Sequence, residues 1–82
     1  MNKIALIVDD SRVSRLMLGS LLKAEDPEWQ VVEAANGLEA LSKAAECQPS
    51  LITLDINMPV MDGFEAASQL RPQFPDATLL IL

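Results

Sequence analysis

The chain has 82 residues, half of them hydrophobic, and its twelve acidic and six basic side chains give a net charge of −6. This length favours one small domain, residues 1–82, and the charge disfavours binding to nucleic acid or to an anionic membrane surface. The chain has no histidine and one cysteine, which excludes a Ser-His-Asp or Cys-His active site, an intrachain disulfide and a zinc site.

The predicted elements alternate between strand and helix. Short continuous apolar runs predict strands that are buried on both faces of a parallel sheet, and apolar residues spaced three and four apart predict helices. In chain order, we predict a strand at 3–8, a helix from 10–11 to 26–27, a strand at 29–35, a helix from 36–37 to 48–49, a strand at 51–54, a helix from 62 that ends before Pro72, and a strand at 78–82.

Two details of these segments bear on location and packing. The apolar run at 3–8 is too short for a signal peptide or a membrane span, which predicts a cytoplasmic protein. The stripe that predicts the first helix consists of Val13, Leu16, Met17, Leu21 and Ala24.

Three strand–helix units followed by a strand predict an α/β fold, a flavodoxin-like parallel sheet of order 2-1-3-4 with helices on both faces. Ligands of such sheets bind outside the carboxyl ends of the strands, where the strand order reverses. Asp9 and Asp10 follow the first strand and Asp55 follows the third. Because these two strands are neighbours in this order, we expect the three carboxylates to converge.

Carboxylates held close together repel one another unless a cation joins them, and Mg²⁺ prefers oxygen ligands of this kind. An aspartate beside such an ion can attack a phosphoryl group and form an aspartyl-phosphate. Simpler roles stay open, because Asp10 can cap the first helix, and Asp62 with Glu65 matches a capping box. Neither G-x-x-x-x-G-K-[ST] nor G-x-G-x-x-G occurs in the sequence.

Three stretches of the chain, IVDDSRVSR, VEAANGLEAL and LITLDINMPVMDGFEA, together resemble the receiver domain of two-component response regulators of the chemotaxis-regulator type. The resemblance extends from Lys3 to Leu82. It implies a phosphoacceptor in a histidine–aspartate relay, a signalling domain rather than an enzyme. The partner is then a histidine kinase or a phosphotransfer protein, which supplies the histidine that this chain does not have.

The resemblance also implies a role for each residue of the site. Asp55 is the phosphorylated aspartate and a Mg²⁺ ligand, Asp10 is a direct Mg²⁺ ligand, and Asp9 holds a metal-bound water. The backbone carbonyl of Asn57 completes the protein's share of the coordination. The loop that shapes the site and starts the third helix contains Pro59, Asp62 and Gly63.

Receivers of this family also have a Ser or Thr after the fourth strand, a Lys at the end of a fifth strand, and a final helix. We therefore expect this chain to be the amino-terminal part of a receiver, without the last strand and helices and without the switch Ser/Thr and Lys. One alternative is a truncated receiver that acts only as a dimerising interaction module. A less favoured one is a Mg²⁺-dependent aspartyl phosphohydrolase of the haloacid-dehalogenase kind, whose Asp-x-Asp motif lies near the amino terminus.

We further expect a homodimer rather than a stable monomer. Without a final helix, one sheet face would be partly bare at residues such as Ile4, Leu6, Ile52 and Leu54. The strand at 78–82 would be an apolar edge with no proline or charge, which favours pairing with another chain. A second copy would then cover strand four or the bare face.

Overall fold

The computed structural model describes residues 3–56, 58 and 60–82 of the chain. Strands and helices alternate as the sequence predicts. The elements are β1 Ile4–Val8, α1 Arg12–Glu25, β2 Gln30–Ala34, α2 Gly37–Cys47, β3 Leu51–Leu54, α3 Gly63–Gln73 and β4 Thr78–Ile81. No helix within the described ranges has the length and apolar character needed to cross a membrane.

The four strands form one parallel sheet of order β2-β1-β3-β4, which confirms the predicted order. Val8, the last residue of β1, lies beside Ala34 of β2 and Leu54 of β3. The three strands therefore end level with one another. Since β1 and β3 are central neighbours, the residues that follow them emerge side by side.

The main core lies between the sheet and the helix pair α2 and α3. The strands contribute Leu6 and Val8 from β1 and Ile52 and Leu54 from β3, all of them almost fully buried. Ala40 and Ala44 of α2 and Ala66 and Leu70 of α3 are fully buried against them. Because these eight side chains are apolar, burial of hydrocarbon fixes the sheet on this side.

The prediction that Ile4, Leu6, Ile52 and Leu54 form a bare face is wrong, since all four are buried. Alternate residues of a strand point to opposite faces, and a continuous apolar run does not reveal which set faces which helix. Large exposed apolar side chains lie elsewhere. They include Val13, Leu16, Met17 and Leu21 of α1, Leu38 of α2, Phe64 of α3, Leu80 of β4, and Ile56, Val60 and Leu82 outside the helices and strands.

Helix α1 packs on the other sheet face, over β1 and β2. The apolar stripe that predicts this helix is largely exposed, and the buried or half-buried residues of α1 are Arg15, Leu18, Gly19 and Leu22. Gly19 permits the close approach, because a Cβ atom there would lie 3.3 Å from Cγ1 of Val31 on β2. The existence of the helix is thus confirmed, but the side on which it packs differs from the stripe.

Helix α3 runs through Pro72 to Gln73, so the prediction that it ends before Pro72 is wrong. Proline has no N–H to donate, which removes one hydrogen bond of the last turn. The helix still closes, because the N–H of Phe74 donates to the carbonyl of Leu70 at 2.9 Å. Because Pro72 is the second-last residue of the helix, little hydrogen bonding is lost besides the bond that its own N–H would have made.

Candidate metal and phosphorylation site

Three carboxylates meet at the carboxyl ends of β1 and β3. The backbone N–H of Asp55 donates to the carbonyl of Val8 at 3.0 Å, which extends the pairing of the two strands by one residue. One carboxylate oxygen from each of Asp9, Asp10 and Asp55 lies within 4.8 Å of the other two. The predicted convergence of these side chains is therefore confirmed.

The turn between β1 and α1 is held by its own polar groups. The N–H of Asp9 donates to the carbonyl of Ala34 at 3.1 Å, and Oδ1 of Asp9 accepts the N–H of Ser11 at 2.9 Å. Oγ of Ser11 in turn accepts the N–H of Ser14, so Ser11 caps α1. The alternative that Asp10 caps this helix is wrong, and its exposed carboxylate belongs to the cluster.

Across the site from the turn between β1 and α1 lies the start of α3. Oδ1 of Asp62 accepts the N–H of Glu65 at 2.8 Å, so Asp62 caps this helix, as its local pattern predicts. The next residue, Gly63, is buried against the backbone of Asp55. A Cβ atom at Gly63 would lie only 2.6 Å from the Asp55 carbonyl oxygen. Of the predicted site residues, Asn57 and Pro59 lie outside the described residues.

The electrostatics of the cluster are unfavourable without a cation. Burial raises the pKa of Asp9 above its ordinary value, while the hydrogen bond from the Ser11 N–H lowers it. The charge of Asp55 and the hydrogen bond and charge of Asp10 raise the pKa of Asp9 further. The charged form of Asp9 is therefore disfavoured, an effect that a bound cation would relieve.

The donor set fits a hard cation. Three carboxylates offer oxygen ligands alone, the kind that Mg²⁺ and Ca²⁺ prefer over softer metals. Two oxygens bound to one Mg²⁺ are at most about 4.2 Å apart. The observed spread of 4.8 Å thus requires only small side-chain adjustments, or a water between one carboxylate and the ion.

Arg15 is not predicted from the sequence as a site residue, yet its side chain reaches the site from α1. Its Nη1 donates to the main-chain carbonyl of Asp9 at 2.6 Å, and its Nε donates to Oε1 of Glu33 at 2.8 Å. A signal exists in the spacing, because Arg15 lies one helical turn before Gly19, the residue that faces the sheet. The apolar stripe of α1 instead predicts that the opposite side of the helix packs on the sheet.

Residues 5–82 match the family model described as the response regulator receiver domain. The chain is 46% identical over 76 residues to the chemotaxis protein CheY of Listeria monocytogenes, across 93% of this chain and 63% of that protein. It is 47% identical over 77 residues to a protein-glutamate methylesterase/protein-glutamine glutaminase of Moorella thermoacetica, across 93% of this chain and 18% of that protein.

Among solved structures, the response regulator TrrA of Thermotoga maritima in complex with Mg²⁺-BeF has a TM-score of 0.87 at 35% identity, over 96% of this chain and 67% of that chain. TrrA in complex with the histidine kinase ThkA gives a TM-score of 0.85 at the same identity, over 96% and 66%. The chain thus has the flavodoxin-like receiver fold and spans 63% of the Listeria CheY. It belongs to the receiver domain family of response regulators, whose domains serve in signalling.

Proposed function

We propose that this chain accepts a phosphoryl group on Asp55 from a histidine of a partner kinase or phosphotransfer protein. In this proposal Mg²⁺ is held directly by Asp10 and Asp55 and by the backbone carbonyl of Asn57. Asp9 holds a metal-bound water. The observation that carries the proposal is the convergence of the three carboxylates at the ends of β1 and β3.

In the proposed step, a carboxylate oxygen of Asp55 forms a bond to phosphorus while the bond from phosphorus to the donor imidazole nitrogen breaks. The nitrogen leaves with the electron pair of that bond. A bound Mg²⁺ supplies positive charge near the transferring oxygens. The chain itself holds the nucleophile, because Val8 fixes the N–H of Asp55 and Gly63 packs on its carbonyl.

The relatives support the proposal. TrrA has been solved in complex with Mg²⁺-BeF and, separately, in complex with the histidine kinase ThkA. The haloacid-dehalogenase alternative receives no support from the family match. A cytoplasmic location and the lack of nucleic-acid and membrane partners stay predictions, the latter two resting on the charge of −6.

The test is to incubate the chain with Mg²⁺ and acetyl phosphate and to measure its intact mass. We expect a gain of one phosphoryl group in the wild type and in Asp62→Ala, because Asp62 caps α3. Asp55→Asn should gain none, and removal of Mg²⁺ with a chelator should abolish the gain. A wild type that stays unmodified, or an Asp55→Asn variant that is modified, would contradict the proposal.

A homodimeric interaction module is the second candidate, and the surface of β4 favours it. This strand lies at the edge of the sheet, and Leu80 within it and Leu82 directly after it are 46% and 62% exposed. An apolar edge without charge is a template for pairing with another chain. In light scattering at micromolar concentration, Leu80→Lys should disrupt a dimer far more than Ser42→Lys on the exposed side of α2. A wild-type monomer of 8.9 kDa would refute the dimer.

A further inference from the structure

Arg15 connects the acidic site to the neighbouring strand β2. Its side chain is only 14% exposed, although it belongs to a surface helix. Two donors of its guanidinium are used on two different elements, Nη1 on the main-chain carbonyl of Asp9 and Nε on the carboxylate of Glu33. A guanidinium is planar and rigid, so the position of one contact determines the position of the other.

We infer that Arg15 is a positioning residue that fixes the peptide unit between Asp9 and Asp10; its effect on Mg²⁺ rests on the proposed function. The carbonyl of Asp9 and the N–H of Asp10 belong to one planar peptide unit. An oxygen held at 2.6 Å therefore fixes the direction in which Asp10 leaves the strand. Asp10 is exposed, so packing of its own side chain gives little further restraint.

The other contacts of Asp9 leave this role to Arg15. Its N–H is held by Ala34 and its carboxylate by the N–H of Ser11, which fix the amino side and the side chain of the residue. The contact from Arg15 fixes the carboxyl side. Three elements, β2, the turn and α1, thus hold the residue that precedes Asp10.

Glu33 affects the site in two ways, both through Arg15. It orients the guanidinium through the hydrogen bond at 2.8 Å, and it compensates the positive charge of Arg15. An uncompensated cation near three carboxylates would oppose the binding of Mg²⁺. The pair therefore delivers a hydrogen bond to the site with little net charge.

The test compares Mg²⁺ affinity, measured by isothermal titration calorimetry, among the wild type, Arg15→Met, Arg15→Lys and Lys23→Met. Loss of an outer partner of a metal site typically weakens binding by about tenfold or more, which we expect for Arg15→Met. Lys23→Met removes the same charge from the far end of α1 and should change the affinity by less than about twofold. Arg15→Lys keeps the charge but not the planar guanidinium that contacts both Asp9 and Glu33, so it should also bind Mg²⁺ more weakly than the wild type.

A second measurement needs no metal. In ¹⁵N relaxation of the metal-free protein, the amides of Asp10 and Ser11 should change from order parameters near about 0.85 toward about 0.6 in Arg15→Met. All measurements are made where circular dichroism shows each variant folded. Rigid amides in Arg15→Met together with wild-type Mg²⁺ affinity overturn the inference. If the wild type binds no Mg²⁺, the proposed function fails, and the relaxation data alone then decide whether Arg15 holds this peptide.

Discussion

Gly63 of α3 packs against the backbone of Asp55 without room for a side chain, and Gly63→Ala should damage the site more than the fold. The added Cβ would lie 2.6 Å from the carbonyl oxygen of Asp55, 3.1 Å from its carbonyl carbon and 3.2 Å from Cα of Ile56. Comfortable contacts begin near 3.5 Å, so roughly 0.9 Å must come from movement of main-chain atoms.

The two consequences of this displacement differ in size. Overpacking costs about 1–3 kcal/mol, and the better helix propensity of alanine returns up to about 1 kcal/mol. A net loss of about 1 kcal/mol lowers the melting temperature of a domain this small by about 4–8 °C. A misplacement near 1 Å can slow a reaction by about a hundredfold, so we expect phosphorylation of Asp55 to slow by about ten- to a hundredfold.

The assay is the rate of mass gain with acetyl phosphate at saturating Mg²⁺, at a temperature where every variant is folded. Gly19→Ala is the mild control, because its nearest contact is a side-chain methyl of Val31 at 3.3 Å. Gly37→Ala is the severe control, because its Cβ would lie 2.7 Å from Cβ of Met61 and so would strain the core without touching Asp55. If Gly63→Ala loses no more rate than Gly37→Ala, this contact does not hold the nucleophile.

Three further outcomes are expected. Mg²⁺ should raise the melting temperature of the wild type. Asp10→Ala should lose most of this gain, and Asp62→Ala should keep it. Equal loss in both variants would indicate that Asp62 is also a metal ligand. Because burial and the neighbouring Asp55 and Asp10 raise the pKa of Asp9, the metal-free folded state holds this proton more tightly than the unfolded state. The contribution of Asp9 to stability should therefore fall as pH rises above about 4. Measured with urea, the free energy of unfolding of Asp9→Asn relative to that of the wild type should increase from pH 4 to 7. A decrease would contradict the raised pKa. Thr53 is buried, and its hydroxyl has no hydrogen-bond partner among the described residues. Thr53→Val should therefore stabilise the fold by about 1 kcal/mol in the same assay. A loss of stability would show that the hydroxyl is partnered.

The sequence predicts the positions of the acids better than the packing of the helices. Asp9, Asp10 and Asp55 could be brought together from sequence, because parallel strands end at one edge and the order 2-1-3-4 makes β1 and β3 neighbours. The cap of α1 was ambiguous, because Asp10 and Ser11 are adjacent and both residue types cap helices well. Only the tertiary structure assigns the cap to Ser11.

Packing was harder to predict for a physical reason. Residues 4–8 are apolar at every position, so periodicity cannot show that Leu6 faces α2 and α3 while Ile7 lies near Gly19 of α1. The role of Arg15 depends on a main-chain acceptor, and a carbonyl has no sequence signature. Its contact follows from the distance between α1 and β2, which Gly19 sets.

The apolar core and the acidic site are linked through the strands. Leu6 and Val8 of β1 and Leu54 of β3 are buried on the α2 and α3 side, and backbone pairing continues past them to the N–H of Asp55. The strands therefore cannot separate to relieve the repulsion among the carboxylates without losing buried apolar contacts. Side-chain rotation, protonation and cation binding are the remaining ways to lower that energy. Asp9, partly buried and held by Ser11, is poorly placed for rotation; burial and, to a smaller extent, the charges of Asp55 and Asp10 raise its pKa, which favours protonation. At neutral pH, where protonation is weakest, a cation would give the largest relief, so we expect the rigidity of the core to strengthen Mg²⁺ binding at the proposed site.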